Sequence, residues 1–175
     1  MTDLLHIPNW NGLHPLIIHF PIALLLIAPL FVVLGGVLGS SKGRSFLMSA
    51  LILMVLGTAS VFVAVETGGA AGKLAGSAPR VAAVLEQHKE LAETTQVLFL
   101  LLTLGFAALL FVPRVLGREL GAPLNAALLS VFLISYATGA LFLVKTANQG
   151  GRLVYELGVK APMASSTAAA GVSRR

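Results

Sequence analysis

A nearly unbroken apolar segment near the amino terminus dominates the hydropathy pattern of the chain. From Leu16 to Leu34 every residue is apolar or proline except His19. A helix needs about 20 such residues to cross the hydrocarbon of a bilayer, so this run predicts a membrane span. Because an imidazole is costly in lipid, we expect His19 to face the protein interior and to have a partner there.

Three further apolar segments follow, and the chain is predicted to span the membrane at about residues 15–38, 46–66, 80–113 and 124–145. The third segment begins amphipathic, with Val84 and His88 on one helical face and Glu86 and Lys89 on another. We therefore expect this helix to extend beyond the bilayer. The predicted fold class is an all-α, integral membrane four-helix bundle with an extended, partly extramembrane third helix.

Two prolines inside the first span predict carbonyl groups without a helical partner. Pro21 and Pro29 lack the N–H that would bond to Ile17 and Leu25, so each is expected to bend the helix. The tyrosines of the chain, Tyr136 among them, are interpreted as packing residues with a hydrated hydroxyl. No internal repeat is evident.

The predicted domain organisation is simple. Residues 1–12 form an interfacial lead-in, residues 13–160 the four-span domain, and residues 161–175 a tail without apolar periodicity that is expected to be disordered. Between spans two and three, the chain from Glu66 to Pro79 is rich in glycine and alanine and is expected to be a loop. Residues 148–159 are expected to form a compact segment with a Gly-Gly turn.

Composition supports the membrane assignment and excludes several classes of site. The 175 residues are 57% hydrophobic and only 11% charged, whereas soluble domains have about 25% charged residues. The absence of cysteine excludes disulfides, thiolate metal sites and covalent c-type haem attachment. No basic cluster interleaves with aromatic residues, so nucleic acid is not an expected partner.

The distribution of charge predicts an orientation. The two short loops contain Lys42, Arg44, Arg114 and Arg118 against a single acid, Glu119. By the positive-inside rule these loops lie in the cytoplasm, which places both termini outside. Four spans also bring the start of span one, the end of span two, the start of span three and the end of span four to one membrane face. The histidines of interest, His14, His19 and His88, lie at this face.

Four motifs resemble a known bacterial family. They are HPLIIHFPIALLL at the first span, Glu66-Thr67-Gly68 at the end of the second, His88 before the third and GGRLVYELGV after the fourth. Over about residues 13–159 the chain resembles the four-span membrane family catalogued as domain of unknown function 2231. Members of that family occur fused to Rieske or cytochrome c domains, so the resemblance implies redox work in the cell envelope, at the inner membrane.

The histidines suggest a haem site as the leading hypothesis. Haem b needs two imidazoles on opposite sides of the iron, and His19 and His88 are the expected pair. His14 is an alternative ligand or a supporting donor. Arg80, Lys73 or Arg152 are candidates to meet the haem propionates. A copper or zinc site that includes Glu66 is a weaker alternative, because no two of these residues have the usual i, i+4 spacing.

The sequence therefore favours a redox subunit over a stand-alone enzyme. Its expected cofactor is haem b, and its expected partners are the bilayer and cytochrome c or Rieske-type proteins, in an oligomer or larger complex. A cofactor-free structural subunit, whose histidines organise the bundle, is the second hypothesis. A transporter or channel is the weakest one, because paired intramembrane charges are lacking.

Overall fold

The described part of the chain consists of helices and turns. The computed structural model describes residues 10–75, 78–117 and 121–159. Most of the predicted lead-in and the whole of the predicted tail lie outside these ranges. A 3-10 turn, Trp10–Gly12, precedes five helices: α1 (His14–Ile17), α2 (His19–Leu38), α3 (Ser40–Gly72), α4 (Pro79–Val115) and α5 (Ala122–Tyr155).

Four helical segments are long and apolar enough to cross a membrane. They are the combined α1–α2 segment, α3, α4 and α5. The predicted fold class, an all-α four-span bundle, is confirmed. Helix α4 has 37 residues and is therefore about 55 Å long, well beyond the roughly 30 Å of bilayer hydrocarbon. Helices α3 and α5, with 33 and 34 residues, are almost as long.

Two boundary predictions are wrong. Helix α3 continues through the expected glycine-rich loop to Gly72, and α5 continues through the expected Gly-Gly turn to Tyr155. Glycine costs a helix about 1 kcal/mol relative to alanine, which is why these stretches suggested loops. Each stretch nevertheless holds a glycine packed against a histidine ring, and that packing favours the helical state.

The connection between α2 and α3 is much tighter than the basic link that the sequence suggested. Helix α3 begins at Ser40, directly after Gly39, whose φ of +53° is a conformation that favours glycine. Just beyond this turn the backbones of the two helices approach closely at Gly35 and Gly43. A Cβ on Gly43 would lie 2.5 Å from the Gly35 carbonyl oxygen.

The four long helices form a ring in which each packs on two neighbours. Helix α2 packs on α3 and α5, and α4 packs on α3 and α5, while the diagonal pairs α2–α4 and α3–α5 do not pack on each other in the described ranges. The core between them is apolar and includes Leu25, Met54, Phe99, Phe106 and Tyr136. Apolar side chains also cover much of the outer surface, as lipid contact requires.

The expectation that Pro29 frees a carbonyl group is met by a specific partner. Leu25 lies four residues before Pro29, and its carbonyl oxygen accepts a hydrogen bond of 2.7 Å from the Tyr136 hydroxyl. Tyr136 is only 1% exposed, so the hydrated hydroxyl predicted for it is wrong. Near Pro21, the helix is interrupted at Ile18, between α1 and α2.

Candidate functional site

Two histidines meet at the end of the bundle where α1 begins and α5 ends. His14 opens α1, and His88 lies in the first third of α4 on its packed face. The last turns of α3 and α5 reach the same level. Each imidazole is half-buried and bonded to a later helix of the chain, His14 to α3 and His88 to α5.

His14 is held by α3. Its Nδ1 lies 2.9 Å from the carbonyl oxygen of Ala64 and 3.3 Å from Oγ1 of Thr67. The Thr67 hydroxyl, which is fully buried, itself donates to the Val63 carbonyl at 2.8 Å. Because a carbonyl oxygen only accepts, Nδ1 of His14 carries a proton and donates it.

His88 is held by α5 in the same manner. Its Nδ1 donates to the carbonyl oxygen of Thr146 at 3.0 Å. The Thr146 side chain is fixed in turn, because its hydroxyl lies 2.9 Å from that of Thr95, which is 1% exposed. These contacts tie α4 to α5 just below the ring.

The hydrogen bonds determine which ring nitrogen is available. With Nδ1 protonated, a neutral imidazole carries its lone pair on Nε2, and neither Nε2 bonds to any residue in the described ranges. Histidines that bind metals characteristically donate their other N–H to a carbonyl or carboxylate in this way. In both rings Nε2 is therefore the nitrogen that remains able to accept a hydrogen bond or to bind a ligand.

The two rings face each other closely. Their centroids are 6.4 Å apart and their planes meet at 77°. The rings belong to helices that lie diagonally opposite in the bundle, so they come together across its centre at the rim. Both also line a cavity of about 590 Å³ between α3 and α4, within the roughly 300–1,000 Å³ of typical ligand pockets.

The cavity combines small, apolar and charged side chains. Glycines of α3, including Gly68 and Gly72, line the cavity without side chains that would fill it, and Trp10 and Leu85 line it with apolar side chains. Around its mouth lie acids and lysines: Glu66, Glu86, Glu93, Lys73 and Lys89. Such a rim suits a ligand with an apolar body and a polar edge.

The pair brought together differs from the predicted one. His19 is exposed, so the expectation that it faces the interior is wrong. It does not line the cavity and is not part of the histidine pair. Five residues turn a helix by about 140°, so His14 and His19 cannot share one face. The partner of His88 is instead His14, which the sequence suggested only as an alternative ligand.

The residues predicted to pair with the haem propionates do not lie together in the structure. Lys73 lines the cavity, whereas Arg80 is exposed at the start of α4 and is not part of the lining. Arg152 donates to Glu156 at 3.1 Å and to Gln149 at 2.9 Å on its own helix. No group of three or more histidine, aspartate or glutamate side chains arranged to hold a bare metal ion occurs in the described ranges.

Glycines next to the rings are the site residues that the sequence argument missed. A Cβ on Gly68 would lie 2.8 Å from Cε1 of His14, and one on Gly150 would lie 3.1 Å from Cε1 of His88. The sequence signal that could have found them is the Gly-Gly pair at the end of the second span and of the fourth. Such pairs ordinarily indicate turns rather than contact surfaces.

The fold and the paired imidazoles define a four-span helical membrane protein with a two-histidine site at one rim. The family model described as "predicted membrane protein", domain of unknown function 2231, matches residues 11–162, so the chain belongs to that family. Comparison with curated proteins and comparison with solved structures each give no match.

Proposed function

We propose that this protein is a membrane redox subunit that binds b-type haem through His14 and His88 and passes electrons within an envelope complex. The observation that carries the proposal is the mutual arrangement of the two rings. Each directs its Nδ1 proton to a helix carbonyl, each keeps Nε2 for a ligand, and the centroids lie 6.4 Å apart.

The number of available ligands favours haem iron over a bare ion. Structural zinc needs four protein ligands and catalytic zinc three, whereas haem iron takes only its axial ligands from the protein. His14 and His88 would hold such a group through one nitrogen each, and their ring centroids are 6.4 Å apart, close enough for both to bind one ion.

Other residues of the cavity support an amphipathic cofactor. Gly68, Gly72 and Ala92 line the cavity with little side-chain volume beside the rings. Lys73 and Lys89 also line it and can pair with the propionate carboxylates of a haem. When bound, the haem supplies one-electron chemistry. The role of the chain is then to hold the ligand nitrogens, exclude lipid and fix the charge around the cofactor, rather than to act as a stand-alone enzyme.

Haem content and its dependence on the two histidines test this proposal. Protein purified in mild detergent from haem-replete cells is expected to carry about one haem per chain, with a Soret band that shifts on dithionite reduction. His88→Ala removes one of the two imidazoles that would hold the haem and should lower bound haem about 10-fold or more. Colourless wild-type protein from such cells, still colourless after incubation with haemin, would refute it.

A cofactor-free structural subunit is the second candidate, and one observation favours it. Each imidazole already joins neighbouring spans, His14 to α3 and His88 to α5. Such a cross-link stabilises the bundle without any cofactor. In that case His14→Ala and His88→Ala lower thermal stability in detergent, while wild-type protein neither carries nor takes up haem.

For orientation, we propose that the histidine rim faces the periplasm of a bacterial inner membrane. The basic residues Lys42, Arg44 and Arg114 flank the opposite ends of the spans. Redox partners such as cytochrome c or Rieske-type domains would then approach the rim that carries Glu66, Glu86 and Glu93.

Single cysteines test this orientation, since the native chain has none. In spheroplasts, a membrane-impermeant maleimide should label Tyr155→Cys, at an 89% exposed position of the histidine rim, and leave Ser41→Cys unlabelled until the membrane is opened. The reverse labelling pattern would place the histidines in the cytoplasm.

A further inference from the structure

The two histidines occupy equivalent positions in the two halves of the chain. In the first half, His14 donates to the Ala64 carbonyl and lies on Gly68, four positions further along α3. In the second half, His88 donates to the Thr146 carbonyl and lies on Gly150, also four positions further along α5. In each case the atom nearest the hypothetical Cβ is Cε1, followed by Nδ1 and then Nε2.

The correspondence continues into the sequence around the two glycines. Glu66-Thr67-Gly68-Gly69 ends the membrane-crossing part of α3, and Asn148-Gln149-Gly150-Gly151 stands at the same place in α5. Only the Gly-Gly pair is identical between the two tetrapeptides, which is why comparison of the sequences alone shows no repeat.

A second pair of contacts lies at equal depth in both halves. Leu25 lies 11 positions after His14, and Phe99 lies 11 positions after His88. Their glycine partners, Gly57 and Gly139, each lie 11 positions before the glycine under the ring. A Cβ on Gly57 would be 2.6 Å from Leu25, and one on Gly139 would be 3.5 Å from Phe99, with Leu102 closer still at 2.8 Å.

The topology matches these pairings. Each half leaves the rim on the helix that carries its histidine and returns on the helix that carries its glycine. In the ring of helices, α2 contacts α5 across the junction of the halves, and α4 contacts α3 in the same way. This is the arrangement of a parallel repeat, whose halves are related by an axis along the membrane normal.

We propose that the chain is an internal duplication of one histidine hairpin, and that Gly68 and Gly150 are the positioning residues of a single site shared by the halves. One ligand per chain takes one Nε2 from each half. That the ligand is haem rests on the proposed function; that the two glycines set the ring positions does not.

The physical reason for glycine is the lack of space for any other side chain. A Cβ at 2.8 Å from Cε1 of His14 is closer than such contacts ever are, so the ring must move away from the Ala64 carbonyl. The 3.1 Å contact at Gly150 is less severe, so His88 should move less. Gly105 on α4 and Gly151 on α5 do not line the cavity, and a Cβ on either would meet nothing closer than 3.9 Å, so they provide matched controls.

Bound haem is the first readout. In Gly68→Ala and Gly150→Ala, loss of ring positioning should weaken haem binding about 10–100-fold, as for other supporting residues of metal ligands. Gly105→Ala and Gly151→Ala should keep the wild-type haem content and the wild-type reduced spectrum. Equal haem content in all four variants would overturn the positioning role.

A double-mutant cycle gives a readout that needs no haem. If Gly68→Ala destabilises the protein only through the imidazole, the same change in a His14→Ala background should cost nothing, or should stabilise α3 because alanine favours helix. The same holds for Gly150→Ala with His88→Ala. Thermal unfolding in detergent, followed by circular dichroism, measures all these variants.

The two failures are distinguishable. Wild-type protein without haem that still shows coupling in both cycles would refute the haem proposal and leave the paired glycine positions established. Additive effects in both cycles would refute the positioning role, whether or not haem is bound. Coupling in the first half and none in the second would contradict the duplication.

Discussion

A proline and a tyrosine on different spans form a complementary pair. Pro29 leaves the Leu25 carbonyl without a helical donor, and the Tyr136 hydroxyl supplies one from α5. The bond is completely buried and lies among Phe99 and Phe132, whose rings are 5.5 and 5.7 Å from that of Tyr136. In an apolar core an unpaired carbonyl is costly, so this bond stabilises the contact between α2 and α5.

We expect Tyr136→Phe to destabilise the protein by about 1 kcal/mol, because it leaves the Leu25 carbonyl unpaired while preserving the ring. Unfolding in mixed micelles measures the change in free energy. Tyr155→Phe is the control, since Tyr155 is 89% exposed, and it should have no effect. Equal stability of the two variants would mean that the Tyr136 bond contributes nothing.

At the level of single residues, the sequence indicated which groups would need a partner more reliably than which way their side chains point. It indicated that the Leu25 carbonyl would be free and that His88 lies on an apolar stripe. It selected His19 over His14, because a histidine inside an apolar run suggests burial. Burial depends on helix rotation: the buried positions of α2 are Pro21, Leu25, Ala28, Val32 and Gly35. At about 100° per residue, His19 lies on nearly the opposite face of the helix.

Among the elements, the α2–α3 hairpin is the most tightly constrained. At Gly35 and Gly43 the helices approach so closely that a Cβ on either residue would collide with the other helix. Close approach of small residues is a principal source of helix association in membranes, where no hydrophobic force acts between spans. The turn at Gly39 then needs only one residue outside the helices.

Gly43→Ala should therefore separate the hairpin and lower stability by about 1–3 kcal/mol, the usual cost of overpacking. Gly105→Ala is the matched control on α4, because its Cβ would meet nothing within 4 Å. That variant should be neutral or more stable by up to about 1 kcal/mol. Thermal unfolding in detergent compares the two, and a neutral Gly43→Ala would contradict the tight hairpin.

Element boundaries could be predicted only where packing does not decide them. The apolar centres of all four spans follow from hydropathy and agree with the structure. The helical extensions to Gly72 and Tyr155 could not be predicted from the sequence, because the local propensity of their glycine pairs disfavours helix. What favours helix there is contact with imidazoles that precede these glycines by more than 50 residues, which no local signal contains.

In the whole molecule, two hairpins each contribute one oriented imidazole to the same rim. The site is incomplete in either hairpin alone, since His14 and His88 belong to different halves. Membership of the family and the four-span fold are established by the family match and the helices. Haem binding is the proposal that gives this arrangement a purpose.

The most direct test compares the dithionite-reduced minus oxidised spectra of His14→Ala and His19→Ala, purified side by side with wild-type protein. The two residues share one span and one side-chain type, but only His14 faces His88. The haem bands should disappear in His14→Ala and remain unchanged in His19→Ala. Bands that persist in His14→Ala, or that disappear in His19→Ala, would contradict it.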